Sequence, residues 1–118
     1  MKYKINPVAK PRMTRRDKWK ERPSVVRYRA YKDELRARRI SLPYAGWHVT
    51  FILPMPRSWT DKKKSEMDGQ PHRQKPDVDN LMKGLMDAVL HEDCAVWDAR
   101  VSKYWGREGA IIVDTFRG

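Results

Sequence analysis

Lys75-Pro76-Asp77-Val78-Asp79-Asn80-Leu81-Met82-Lys83-Gly84-Leu85-Met86-Asp87-Ala88-Val89-Leu90 is the stretch around which the rest of the chain organises itself. Leu81, Leu85 and Val89 recur at i, i+4 and i+8, and Met82, Met86 and Ala88 widen that apolar stripe. The spacing predicts an amphipathic helix over 77–90 with one face in a core. Pro76 and Asp77 are helix-start signals, and Asp79 adds negative charge to the first turn, where the backbone dipole favours it.

The same stretch carries the chemistry. In extended chain, residues two apart point the same way, whereas in a helix they diverge by about 200°. Pro76 keeps Lys75 extended, so Asp77 and Asp79 converge only at the boundary between extended chain and helix. The ordinary reading of such a pair is capping and dipole stabilisation. The chemical reading is a cation site: close carboxylates repel each other unless a cation sits between them. Mg²⁺ suits such a pair, because it is commonly held by one or two carboxylates and fills its other positions with waters or phosphate oxygens. Lys83 lies four residues after Asp79 on the same helical face. It either salt-bridges Asp79 or offsets charge growing on a phosphate.

On the upstream side, Trp47, Val49, Phe51 and Leu53 alternate with His48, Thr50 and Ile52, a strand closed by Pro54 and Pro56. Before it, Val25, Tyr28, Tyr31, Leu35 and Ile40 suit a helix over 25–40, with Pro43 and Gly46 marking its exit. Tyr3 and Ile5 read as a short strand ended by Pro7, and residues 9–24 as a basic loop. Residues 60–75 are polar, a short helix or loop followed by a connector. On the downstream side, 94–105 and 109–116 look like two strands, with Gly106 and Gly109 flanking a tight connection as in a hairpin. The expected class is α+β, with a small mixed β-sheet packed against two main helices. The 118 residues fit one domain, 1–118.

The net charge is +11, and its distribution says more than the total. Residues 1–40 hold 15 Lys/Arg against 4 Asp/Glu, while residues 41–118 hold 11 of each. A concentrated basic region is the footprint of a polyanion binder, because neutralising phosphates releases condensed counterions. Membrane-surface binding fits less well, since residues 1–40 show no continuous apolar face beside the charge. The longest apolar runs, such as Ala110-Ile111-Ile112-Val113, are too short to span a bilayer. With one cysteine, Cys94, and no apolar leader in the opening residues, a cytoplasmic location is the expectation.

Asp77-Val78-Asp79-Asn80-Leu81-x-Lys83-x-x-x-Asp87-Ala88, followed ten residues later by Asp98-x-x-Val101, resembles the signature of the RusA family. These are Holliday junction resolvases, often carried by phages and prophages. Lys10-Pro11-Arg12-Met13-Thr14 is similar to a basic, Pro-containing segment near the start of such proteins. The resemblance implies a metal-dependent endodeoxyribonuclease acting on four-way junction DNA as a homodimer, with Mg²⁺ as cofactor and Mn²⁺ as a substitute. It places metal-binding aspartates at Asp77, Asp79 and Asp98, a catalytic lysine at Lys83 and the motif asparagine at Asn80. Relatives often have Asp-Asp before x-Gln-Val; here the stretch is Trp97-Asp98-Ala99-Arg100-Val101, and Asp93 is the alternative third carboxylate. The DNA backbone is expected to be gripped by Lys10, Arg12, Arg15 and Arg16 in the basic loop, and by Arg73 and Lys75 beside the acidic motif. Two rivals stand beside this reading: a catalytically inactive branched-DNA-binding protein, and a metal-dependent hydrolase of small phosphates or RNA.

The remaining features read as structural. His48, His72 and His91 are not spaced as zinc ligands, and His91 suits a helix C-terminus. Trp47 and Trp105 are expected in the core. Trp19 either packs or stacks on a base. Lys62-Lys63-Lys64 reads as a solvated run with phosphate contact as its alternative.

Overall fold

The computed structural model describes residues 1–11 and 22–116; Arg12, Arg15, Arg16 and Trp19 lie outside them. The elements in chain order are β1 (Lys2–Tyr3), α1 (Pro23–Ala37), β2 (Ala45–Pro54), α2 (Asp61–Met67), α3 (Val78–Val89), β3 (Asp98–Gly106) and β4 (Ala110–Thr115). The class is α+β: a four-stranded mixed sheet with three helices.

Periodicity decides which side chains enter the core. β2 buries Trp47, Val49, Phe51 and Leu53 at every second position, as a strand with one covered face must. α1 buries Val25, Tyr28, Tyr31 and Leu35, and α3 buries Leu81, Leu85, Met86 and Ala88. These stripes meet the sheet in one cluster that includes Ile5, Ile40, Leu42 and Ile111. α2 buries none of its residues. It is capped by Thr60, whose side chain accepts a hydrogen bond from the Lys63 N–H at 3.2 Å.

The first helix is shorter than its apolar spacing suggests. It ends at Ala37, and Arg39 takes a left-handed φ of 55°. Ile40 then donates to the Leu35 carbonyl and Arg39 to the Arg36 carbonyl. This is a Schellman ending, with the buried pair Leu35 and Ile40 as its apolar contact. Glycine normally supplies the left-handed residue of that motif, so Arg39 gave no stop signal in the sequence.

The expected hairpin of the last two strands is not formed. The sheet order is β1-β4-β2-β3, so β2 lies between β3 and β4, parallel to the first and antiparallel to the second. The chain leaves Gly106, crosses the end of β2 in residues 107–109 and returns along its other side. Bridging two strand spacings requires about 10 Å, which four Cα–Cα steps of about 3.8 Å can cover. The crossing is tight, since a Cβ on Gly109 would lie 2.0 Å from Asn6 Oδ1 and 2.8 Å from Asn6 Cα. Periodicity had marked a short glycine-flanked connection correctly, but short connections do not require their strands to pair.

The outer side of β3 is covered by the connector that leads to α3. Gly69 donates to the Trp105 carbonyl, Trp105 to the Gln70 carbonyl and His72 to the Lys103 carbonyl, at 2.9–3.1 Å. The Trp105 ring lies 4.8 Å from Trp59 and 4.1 Å from His72 between ring centres. This cluster fixes the connector and hence the start of α3.

Candidate active site

Asp77 is the N-cap residue of α3, with extended backbone at φ −69° and ψ 147°, and Asp79 lies in the helix's first turn. The two therefore flank the boundary between extended chain and helix. The Asp77 side chain makes no capping hydrogen bond. Both aspartates are exposed, as is Lys83 one turn further on. Capping thus does not account for Asp77, and its carboxylate is left to solvent at the positive end of the helix.

The connector is held by a residue that sequence reasoning passed over. Lys103, on β3, donates from Nζ to the Gln74 carbonyl and, at 2.7 Å, to the Pro76 carbonyl. It clamps the chain immediately before Asp77, across a cis Lys75–Pro76 peptide. The available signal was parity: Lys103 shares its strand face with Val101 and Trp105 and pairs in register with core Phe51. Arg73 and Lys75, both exposed, belong to this clamped connector.

The basic segment is rooted on the same helix. The Lys10 N–H donates to the Asn80 carbonyl at 3.2 Å. Its ammonium group pairs with Asp87, so Lys10 is an anchor here rather than a free cation. Residues 8–10 approach α3 so closely because Gly84 lacks a side chain. A Cβ there would lie 3.0 Å from the Val8 carbonyl oxygen, 3.1 Å from Lys10 N and 3.2 Å from Tyr28 Cε1. Tyr28 also donates to the Gly84 carbonyl at 2.8 Å. Burial first, and the Asp87 charge second, push the Tyr28 hydroxyl up to about 12. Asn80 thus contributes through its backbone, and Asp87, noted only as part of a motif, ties the basic segment to the helix.

Asp98 opens β3 opposite Ala45, beside Trp97, which is 69% exposed and donates its N–H to the Tyr44 carbonyl. Asp93 sits in a one-turn 3₁₀ helix, Asp93–Ala95, on the exposed link from α3. Among the described residues no group of three or more His, Cys, Asp or Glu side chains is gathered so as to hold a metal ion. The structure therefore places Asp77 and Asp79 two residues apart at one helix start, the N-cap and the first turn, and among the described residues does not join Asp98 to them in a ligand cluster. The donors at the helix head are carboxylate oxygens, a set that fits a hard cation such as Mg²⁺ completed by phosphate and water.

His72 is buried beside this connector, and its Nδ1 has no hydrogen-bond partner. Burial, reinforced by the Lys103 charge, pushes its pKa below the ordinary histidine value. It is a neutral packing residue on Trp105. His48 is shared between Ser102 Oγ at 3.0 Å and Thr50 Oγ1 at 3.5 Å. No helix among the described residues is long and apolar enough to cross a membrane.

Comparison with known proteins identifies the family. The model of the family described as endodeoxyribonuclease RusA matches residues 3–115. An uncharacterised protein of Bacillus subtilis (strain 168), YqaN, is 37% identical over 73 residues, covering 55% of this chain and 51% of that protein. The chain thus spans about half the length of this curated relative. No solved structure matches.

Proposed function

Because the chain belongs to the RusA family of endodeoxyribonucleases, we propose that it is a Mg²⁺-dependent, structure-specific endodeoxyribonuclease that resolves Holliday junctions. The observation that carries this reading is the state of Asp77. It occupies the N-cap of α3, is exposed and makes no cap hydrogen bond, within a chain matched by the family over nearly its whole length. An exposed carboxylate that makes no cap hydrogen bond, two residues from another, is what a metal-dependent phosphodiesterase needs.

In this mechanism Asp77 and Asp79 would hold the Mg²⁺, and Asp98 would be the third carboxylate. When bound there, Mg²⁺ would lower the pKa of a coordinated water and polarise a phosphoryl oxygen. Lys83, one helical turn beyond Asp79, offsets the negative charge that develops on the phosphate. Lys103 keeps Asp77 in place by clamping the connector, and Arg73 and Lys75 flank the approach. Residues 1–118 act as one nuclease domain. A four-way junction has approximate two-fold symmetry and needs two matched cuts, which a homodimer with two such sites would deliver.

The test is cleavage of a synthetic four-way junction with Mg²⁺ by the Asp77→Asn and Asp79→Asn variants. Loss of cutting with junction binding retained is expected. Wild-type cutting by both variants would remove the mechanism. One observation favours a second reading, an inactive branched-DNA-binding protein: the described residues contain no three-carboxylate cluster. That reading requires the wild-type protein to bind junctions yet leave them intact with Mg²⁺ and with Mn²⁺.

A further inference from the structure

The charge count puts the whole basic excess in residues 1–40, yet the fold builds a second basic surface from elsewhere. Where β2 and β3 end, a groove of 610 Å³ is lined by Lys4, Arg57, Lys64 and Arg107, with Glu108 as its one carboxylate. These four cations come from the exit of β1, the loop after β2, helix α2 and the β3–β4 crossing. The three residues beyond position 40 sit in a part of the chain with no net charge. The fold brings them beside Lys4, with Arg107 carried there by the crossing of residues 107–109 over the end of β2.

Two further facts favour an extended polyanion over a single small anion. A neighbouring depression of 430 Å³, between the chain after β1 and helix α1, shares Lys4 and Asn6 with the groove and adds Arg27. Both depressions are open to solvent and meet at Lys4 and Asn6, and together they are called the trough below. Its positive charge also exceeds the negative, with Glu108 the one carboxylate among the groove's lining residues. Among the described residues Lys4, Arg27, Arg57 and Lys64 have no ion-pair partner. Glu34, on the trough's α1 side, is paired with Arg38 at 2.9 Å. Arg107 is oriented by Ser65 Oγ at 3.2 Å, a contact that leaves its charge in place. None of the lining residues belongs to the acidic site at the head of α3.

We infer that this trough is a nucleic-acid backbone channel, in which Lys4, Arg57, Lys64 and Arg107 receive successive phosphates of a duplex arm. The identity of the arm as part of a branched DNA rests on the function proposed above; the phosphate-binding role rests on the trough. Four cations from four separate segments lining one groove suit a ligand that carries several negative charges, as a DNA strand does. An arm held there gives the protein a grip on DNA outside the acidic site at the head of α3.

The experiment measures binding of a synthetic four-way junction and of a linear duplex, without divalent metal, between 50 and 200 mM salt. The wild type is compared with Arg57→Ala/Lys64→Ala, whose side chains make no hydrogen bond or ion pair among the described residues. Each phosphate contact contributes about 0.9 to the slope of log K against log salt, so the double variant should lose about 1.8. Across this fourfold range of salt, the wild type should then lose about 12-fold more affinity than the variant. An unchanged slope on both DNAs overturns the inference. The single Arg57→Gln variant, on an exposed loop, should show about half the change and covers any folding defect in the double variant. Inorganic phosphate at constant ionic strength should not displace the duplex; displacement lost in the double variant would make the trough a small-anion pocket and overturn the inference. If the wild type binds junction no better than linear duplex, the branched-DNA reading fails, while the slope on linear duplex still decides the trough.

Discussion

Lys103→Met is the most informative single change, because one side chain links the sheet, the connector and Asp77. Methionine keeps the length and apolar stem but removes both hydrogen bonds to the Gln74 and Pro76 carbonyls. Hydrogen bonds from a charged donor are worth about 1.5–3 kcal/mol each. One contact is exposed and the other part-buried, so solvent screening leaves about 2 kcal/mol for the pair. Unfolding entropy near 2.1 cal/mol/K per residue then gives, for 118 residues, a fall in Tm of about 8 °C. Calorimetry reads this directly. Release of the connector also frees Asp77 to move. A displacement of 1 Å at a reacting group costs about 100-fold in rate, so junction cleavage should fall by about 10- to 100-fold with binding little changed. Lys103→Arg, which can still donate to both carbonyls, should restore most of the rate. A third readout is independent of both: the Lys103 charge helps to depress the His72 pKa. In Lys103→Met the His72 resonances should therefore titrate higher, yet remain below the ordinary value because burial persists. A Tm within 2 °C of wild type with unaltered cleavage would refute the clamp.

Other consequences are simpler to test. Arg39→Gly should stabilise the protein by about 1 kcal/mol, since a non-glycine residue in the left-handed region costs about 1–2 kcal/mol and glycine loses part of that gain to unfolded-state entropy; denaturant titration measures it. Gly109→Ala should destabilise by about 2–3 kcal/mol, because the new Cβ meets Asn6 backbone and the crossing cannot give way. His72 is held neutral, so its contribution to stability is fully present above the ordinary histidine pKa of about 6.5 and is lost as pH falls, when the unfolded chain takes up the proton first. His72→Phe should flatten thermal stability between pH 7 and pH 5 relative to wild type.

Much of this protein was legible as local pattern. The alternation in 47–53 and the helical spacing in 77–90 gave the core of β2 and of α3, because each element's own geometry dictates which side chains point inward. The pair Asp77 and Asp79 was legible for the same reason: a helix start is written in a few adjacent residues. The end of α1 was not, since Arg39 adopts a conformation that its residue type does not advertise. The hairpin expected between 94–105 and 109–116 failed because periodicity states which face is buried and is silent on which strand lies alongside.

The contacts that build the site are non-local, and only the tertiary structure decided them. Lys103 reads as an ordinary strand residue until the connector is laid against β3. Gly84 reads as a weakness in a helix until residues 8–10 are packed over it. The basic trough has no counterpart in the charge count, because Lys4, Arg57, Lys64 and Arg107 are distant in sequence and meet only at the end of β2. Sequence alone determined the helix that carries the acidic pair, the basic first third and the family. Folding determined where the pair is held and which cations share a surface, since electrostatic and packing energies depend on distance through space rather than along the chain.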